Sequence, residues 1–347
     1  MNFSNSSIEK LSVHYVGNKL QNEPLISSKK QLHLQKSILE KLSNYFLSKF
    51  QDSVERFSFE HPSALKYNEV YNFCKEIFTG EKTFQAGATD IASHLYEQSV
   101  HPKVIGGQLY VCLFKDCIVD NNKTNAIGIF KTENKTGFFE INDSIEDFSI
   151  VYKEGLDLTK LDKGCVIFNK EVRDGYVVAI VDSQSKGHLA QYWKDDFLNV
   201  KEKADNYHFT KNYLSVAKDF IVSDLEENFQ LSKADKADLL NRSINYFKEN
   251  SAFNADEFEE TVFKDSSIIK SFQQFGAQYL EDNALEISDT FEISTSAVKK
   301  QARVFKSVLK LDKNFHIYIH GDKNLIERGF DKERKMNFYK VYFNDEQ

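Results

Sequence analysis

The sequence predicts an α+β protein: an N-terminal antiparallel sheet with covering helices, then a helical domain that ends in a small β-hairpin. Three observations carry this. Hydrophobic period switches from helical to alternating near residue 107 and back to helical after about residue 208. The middle segments are short, rich in β-branched and aromatic residues, and bounded by Gly, Asn or Asp. Only 3 prolines interrupt a chain holding 30 Phe and 16 Tyr, a composition suited to long helices and packed sheets.

In chain order, Ser7 to Ile26 alternates around Val13, Tyr15 and Leu20 and predicts a strand pair turning at Gly17-Asn18. Lys30 to Phe50 predicts a helix, with Ile38, Leu39, Leu42 and Phe46 on one face. Ala64 to Phe78 predicts another, stopped by Gly80, and Phe84 to Ser99 a third that contains His94. Gln108–Phe114, Ala126–Lys131, Gly137–Ile141, Cys165–Asn169 and Tyr176–Asp182 predict an antiparallel meander, one face of which the preceding helices can cover. Polar residues from Val200 to His208 mark an expected boundary between domains 1–204 and 205–347.

Beyond it, Tyr213, Val216, Ala217, Phe220, Ile221 and Leu225 line one helical face. Helices are also expected over Lys233–Lys248, Asp256–Phe263 and Ser266–Leu280. From Asn212 to Ile293 about 17 acidic residues face about 7 basic ones, whereas from Ser294 onward about 12 basic face about 7 acidic. A helix from Ser296 to Leu309, a strand Phe315–His320, a turn at Gly321-Asp322 and a closing strand Met336–Phe343 pairing with the former are expected. Phe305 is expected to anchor the core of this half.

The net charge of -7 excludes dense, nonspecific coating of DNA by global attraction, so any nucleic-acid contact must be local. The four cysteines, Cys74, Cys112, Cys117 and Cys165, form no metal spacing and fit buried, reduced thiols. No apolar run reaches membrane-span length, and the first residues carry no basic-apolar leader, so a cytoplasmic protein without membrane contact is expected.

Catalytic signatures are missing. No nucleophile elbow, P-loop or zinc-protease motif occurs. Gly106-Gly107 reads as a turn before a strand, and Asp116, Asp120 and Asp182 cannot be paired from spacing. His316, Tyr318 and His320 would share one strand face, but no third metal ligand accompanies them. No catalytic residue, metal or cofactor is expected.

The informative pattern surrounds Lys300. Val298, Ala302, Phe305 and Leu309 form an apolar helical stripe, and Lys299, Arg303, Lys306 and Lys310 repeat it one residue on, about 100° around the helix. Such a cationic row suits phosphate contacts, and the same row fits a plain solvated face. Ile287 to Phe305 also carries a faint helix-turn-helix outline, without the turn glycine and with a short acidic first half.

Several segments resemble the NdpA (YejK) family of bacterial nucleoid-associated proteins. They are the opening with His14, Asn18 and Leu25; Gly106-Gly107-Gln108-Leu109-Tyr110-Val111; and Lys211-Asn212-Tyr213-Leu214 through Ala217-Lys218-Asp219-Phe220. Phe272–Leu280, Phe291-Glu292-Ile293, the helix to Phe305 and the strand Phe315–Ile319 follow the family's C-terminal order. The resemblance implies a non-catalytic protein of the nucleoid that binds double-stranded DNA, with a type II topoisomerase as partner of some members. Family members carry several basic residues opening the helix near Lys211; here Lys211 and Lys218 are joined by Asp219 and Asp224. The expected DNA contact therefore moves to Lys299, Lys300, Arg303, Lys306 and Lys310. The alternative is a protein-interaction module brought to the nucleoid by a DNA enzyme, its acidic bundle docking a basic surface.

Overall fold

A computed structural model describes residues 1–51, 55–143, 147–183, 192–225, 229, 231, 233–305, 308–311, 313, 315–318 and 325–345. The chain divides into two compact units, Met1–Lys203 and Ala204–Gln347.

The first unit is built on one eight-stranded sheet. Its strands are β1 (Ser7–Val16), β2 (Leu25–Ser27), β3 (Phe57–Phe59), β4 (Gly107–Val119), β5 (Asn122–Thr132), β8 (Lys163–Phe168), β9 (Val177–Asp182) and β10 (Val200–Glu202). Their spatial order is β10-β3-β9-β8-β5-β4-β1-β2, and every pairing is antiparallel. Between β5 and β8 the chain makes a separate hairpin, β6 (Thr136–Asp143) and β7 (Phe148–Gly155). The alternation predicts β6; β7 was not foreseen.

The sheet is buried on both faces rather than one. Helices α2 (Glu69–Thr79) and α3 (Phe84–Gln98) and a π-helical turn at Tyr192–Leu198 pack with Val16, Leu109, Val111, Ile127, Ile129 and Val178. On the opposite face α1 (Lys36–Leu47) packs with Leu11, Cys112, Phe114, Phe130, Val166 and Phe168. Double coverage explains why β8 is buried at every residue and apolar from Gly164 to Phe168, after Lys163 at its ion-paired start.

The helix limits follow from capping. α1 starts at Lys36, six residues later than the periodicity suggested, because the Leu32 amide donates to Leu11 O (2.8 Å) and holds that stretch along β1. α2 starts at Glu69 because Asn68 caps it: its Oδ1 accepts from Tyr71 N (2.8 Å), while its Nδ2 group reaches the carbonyls of Glu60, Leu198 and Asn199. Gly80 closes α2 at φ +77°, a left-handed conformation that costs glycine little. Asn18 acts likewise near β1, donating to the carbonyls of His101 and Val104.

Charges enter this interior in neutralising sets. At the shared end of β5, β8 and β9, Lys131 and Lys163 grip the two oxygens of Glu133 at 3.1 and 3.2 Å. Lys131 Nζ also donates to Ile105 O and Tyr192 Oη. Burial by itself would lower the Lys131 pKa; Tyr192 and Glu133 outweigh it and hold the amine above its ordinary value. Asp162 accepts from the amides of Glu133 and Asn134 at 2.6 and 3.0 Å, fixing the chain as it leaves β5 for the hairpin.

The second unit is helical. Its helices are α4 (Asn206–Asp219), which runs on through a π-helical turn at Phe220–Asp224, α5 (Lys233–Glu249), α6 (Ala255–Val262), α7 (Ser266–Asp282) and α8 (Thr295–Gln301). Two-stranded pairs join β11 (Ala252–Asn254) to β12 (Thr290–Glu292), β13 (Val308–Leu311) to β14 (Phe315–Tyr318), and β15 (Ile326–Asp331) to β16 (Met336–Val341). The closing strand thus pairs with Ile326–Asp331 and not with the strand beginning at Phe315. Its core is aromatic: Tyr213 lies 4.2 Å from Phe253 and 5.2 Å from Phe258 between ring centroids.

The fold makes one pH-dependent prediction. His14 on β1 is buried, its Nε2 is 3.0 Å from Ser12 Oγ, and its Nδ1 has no partner. Burial lowers its pKa to about 4, below the unfolded value of about 6.5. The unfolded state therefore binds the extra proton first. Stability from a neutral His14 is complete above about pH 6.5 and declines toward pH 4, by up to about 3 kcal/mol. Urea unfolding of wild type and His14→Gln at pH 7, 5.5 and 4.5 should show a smaller acid loss in the variant; parallel losses would contradict the assignment.

Candidate nucleic-acid interface

α8 forms where Ser294 stops the preceding strand and caps the helix, its Oγ accepting from Ala297 N at 3.4 Å. The cap is itself held by α4: Thr210 Oγ1, fully buried, accepts from Ser294 N at 3.0 Å. Ala297 and Val298 turn into the core, and Phe305 beyond the helix is 3% exposed, the anchor the spacing predicted.

The helix is shorter than its periodicity implied. It ends at Gln301, Ala302 to Val304 form a turn, and Val308–Leu311 is strand β13. The apolar and cationic rows from 298 to 310 therefore do not share one helical face. Lys299 and Lys300 lie exposed on the last turn of α8, where cations complement the helix dipole. Lys300 Nζ sits over the Tyr207 ring, 6.0 Å from its centroid. Arg303 is exposed in the following turn. Lys306 lies outside the described residues, and Lys310 belongs to β13, opposite His316 of β14. The helix-turn-helix outline is not realised: β12 stands where its first helix would end, hydrogen-bonded to β11.

Sequence reasoning missed a second exposed cationic element, the turn between β15 and β16, with Lys332, Arg334 and Lys335. The Asp331 carboxylate shapes it by accepting from the amides of Glu333 and Arg334 at 2.9 and 3.0 Å. The signal was legible: an aspartate opening a polar run between two alternating apolar segments.

The acidic residues considered for chemistry are held in ion pairs. Asp120 bridges Arg56 (2.6 Å) and Lys170 (2.7 Å), Asp116 meets Lys123, and Asp182 lies 3.7 Å from Lys163. His94 packs beside Phe73 and Phe197, its Nε2 3.1 Å from Phe197 O. All four cysteines are buried as free thiols, and burial raises the pKa of each. Among the described residues no group of three or more His, Cys, Asp and Glu could hold a metal ion, and no helix is long and apolar enough to cross a membrane.

A doubly covered antiparallel sheet, joined to an acidic bundle with a basic terminal segment, defines a two-unit α+β protein with cationic surface elements in its second unit. The chain belongs to the family described as nucleoid-associated protein YejK, whose model matches residues 12–339. No curated protein matches it.

Two stability measurements check how the interface is held. Phe305→Ala should cost roughly 3–5 kcal/mol in urea unfolding, the usual range for a buried Phe. Thr210→Val keeps the shape but leaves the partly buried Ser294 amide without its acceptor, and should cost about 1 kcal/mol or more. A loss within error for either would show that α8 is anchored by other contacts.

Proposed function

We propose that this chain is a non-catalytic, cytoplasmic protein of the nucleoid that touches double-stranded DNA through a local basic patch on its second unit. The carrying observation is the cluster of Lys299, Lys300 and Arg303, exposed at the C-terminal end of a helix whose other side is buried. Lys306 and Lys310, next along the chain, complete the proposed set. These side chains act as positional cations on phosphates and read no sequence. Membership of a nucleoid-associated family supports the reading, and so does the reversal of charge after Ser294.

A second reading has its own support. The strongly acidic stretch from Asn212 to Ile293 suits a basic protein surface. In that case the chain reaches DNA through a DNA enzyme such as a type II topoisomerase.

Salt titration of duplex binding separates the two. Lys299→Ala with Arg303→Ala should weaken binding about equally on unrelated sequences and reduce the slope of log K against log salt by about 2. An unchanged slope would remove these residues from the interface. A wild-type protein that fails to bind duplex even at low salt would favour the protein-partner reading.

A further inference from the structure

The β6–β7 hairpin is a two-stranded sheet of its own. Its register sorts its side chains sharply. Phe139 faces Tyr152, Ile141 faces Ile150, and Asp143 faces Phe148, all on one side of the ribbon. Phe139, Ile141, Phe148, Ile150 and Tyr152 are each 59–72% exposed. None belongs to a buried core among the described residues. The opposite side is mixed, with Thr136, Asn142, Ser149 and a Glu140–Lys153 ion pair beside Phe138 and Val151.

An isolated two-stranded hairpin is marginal in water. One that collects five large apolar side chains on a single side lacks the layer such a side normally packs against. The apolar side is also shaped locally. Phe139 and Tyr152 meet edge to face at 5.8 Å. Gly137 lies under the Tyr152 ring, and a Cβ there would stand 2.2 Å from the phenol oxygen. The base is fixed by Asp162 and by the Lys131–Glu133–Lys163 set, so the ribbon leaves the sheet from an ordered foot.

We propose that this face joins two copies of the chain, arm against arm, about a two-fold axis. Two features choose a second copy. Among the described residues the face has no cation, which argues against a phosphate surface, and its carboxylates there, Asp143 and Glu154, sit at its ends, where a rim stays wet. Its rows are also self-complementary. With the axis near Ile141 and Ile150, an antiparallel copy sets the Phe148 end of one arm against the Phe139–Tyr152 end of the other, as an isologous contact requires. The five side chains expose on the order of 600 Å² per copy. Two arms together therefore cover about 1,200 Å², the lower edge of stable interfaces.

The full-length chain tests this directly. Sedimentation over a range of concentrations should show a reversible monomer–dimer equilibrium in the micromolar range or tighter. Ile141→Glu with Ile150→Glu should raise the dimer dissociation constant by about a hundredfold or more while leaving circular dichroism unchanged. Because the native cysteines are buried, Ile150→Cys near the axis should give a disulfide-linked dimer under mild oxidation, and Ser149→Cys on the other side should not. A wild-type chain that stays monomeric at about 100 μM, well above a micromolar constant, overturns the proposal. So does a dimer that survives the double glutamate variant unchanged, or equal cross-linking from both cysteine positions.

Discussion

A sheet buried on both faces sets the terms for everything in the first unit. Water does not readily solvate a group that falls between the layers, so a polar side chain there gains by bringing its own partner, and the unpartnered His14 Nδ1 is an exception. Glu133 serves two lysines, Asp162 serves two backbone amides, and Asn18 and Asn68 each tie a turn to distant carbonyls. These contacts are long in sequence and short in space. Asn68 alone spans more than 130 residues when it meets Asn199. The buried polar groups thereby fix which loop meets which strand end, a task that apolar packing, being non-directional, performs poorly.

The same constraint decides where interaction can occur. The interior strands offer nothing to a partner, since β5 and β8 are paired on both edges and covered on both faces. Among the described residues, the parts that leave the sheet and the second unit carry surfaces that the layers do not cover. The hairpin between β5 and β8 departs from the end of the sheet where Lys131, Glu133 and Lys163 pair in the interior. In the second unit a dense aromatic core around Tyr213, Phe247, Phe253 and Phe258 holds short helices whose outer faces are free to carry charge. α8 is the clearest case: seven residues, too few to be stable alone, kept helical by Thr210, Val298 and the core beneath.

What the sequence revealed follows from whether a signal was local. β4, β5, β8 and β9 were legible because each is long enough to alternate or to be apolar throughout. Gly80 and the run before it located α2. β3, β10, β11 and β12 were not legible, because three residues carry no period and are strands only through distant partners. The stretch from Val298 to Lys310 failed for a different reason. Val308-Leu309-Lys310-Leu311 satisfies a helical stripe and an alternating strand about equally well. Pairing with Phe315–Tyr318 supplies a ladder that a helix end could not match, and tertiary context decides such ties. Of the proposed contact residues, Lys299, Lys300 and Arg303 are exposed on and just after α8, whose start at the Ser294 cap depends on Thr210 from α4.

The charge distribution then constrains how such a chain could use DNA. At physiological salt, fields are screened within about 8 Å, so the overall charge of -7 opposes approach only weakly and the basic cluster acts only near contact. A few phosphate contacts give a weak affinity whose fall with salt is set by their small number, and a single patch would hold duplex loosely. Joining two chains through the β6–β7 arms changes that arithmetic without adding a contact. The second patch would bind at an effective concentration set by the span of the dimer, so two weak patches on one particle could retain a duplex that either would release. If both proposals hold, weak local charge and an apolar arm would act together, and loss of the arm should be felt most where single-patch binding is weakest, at high salt.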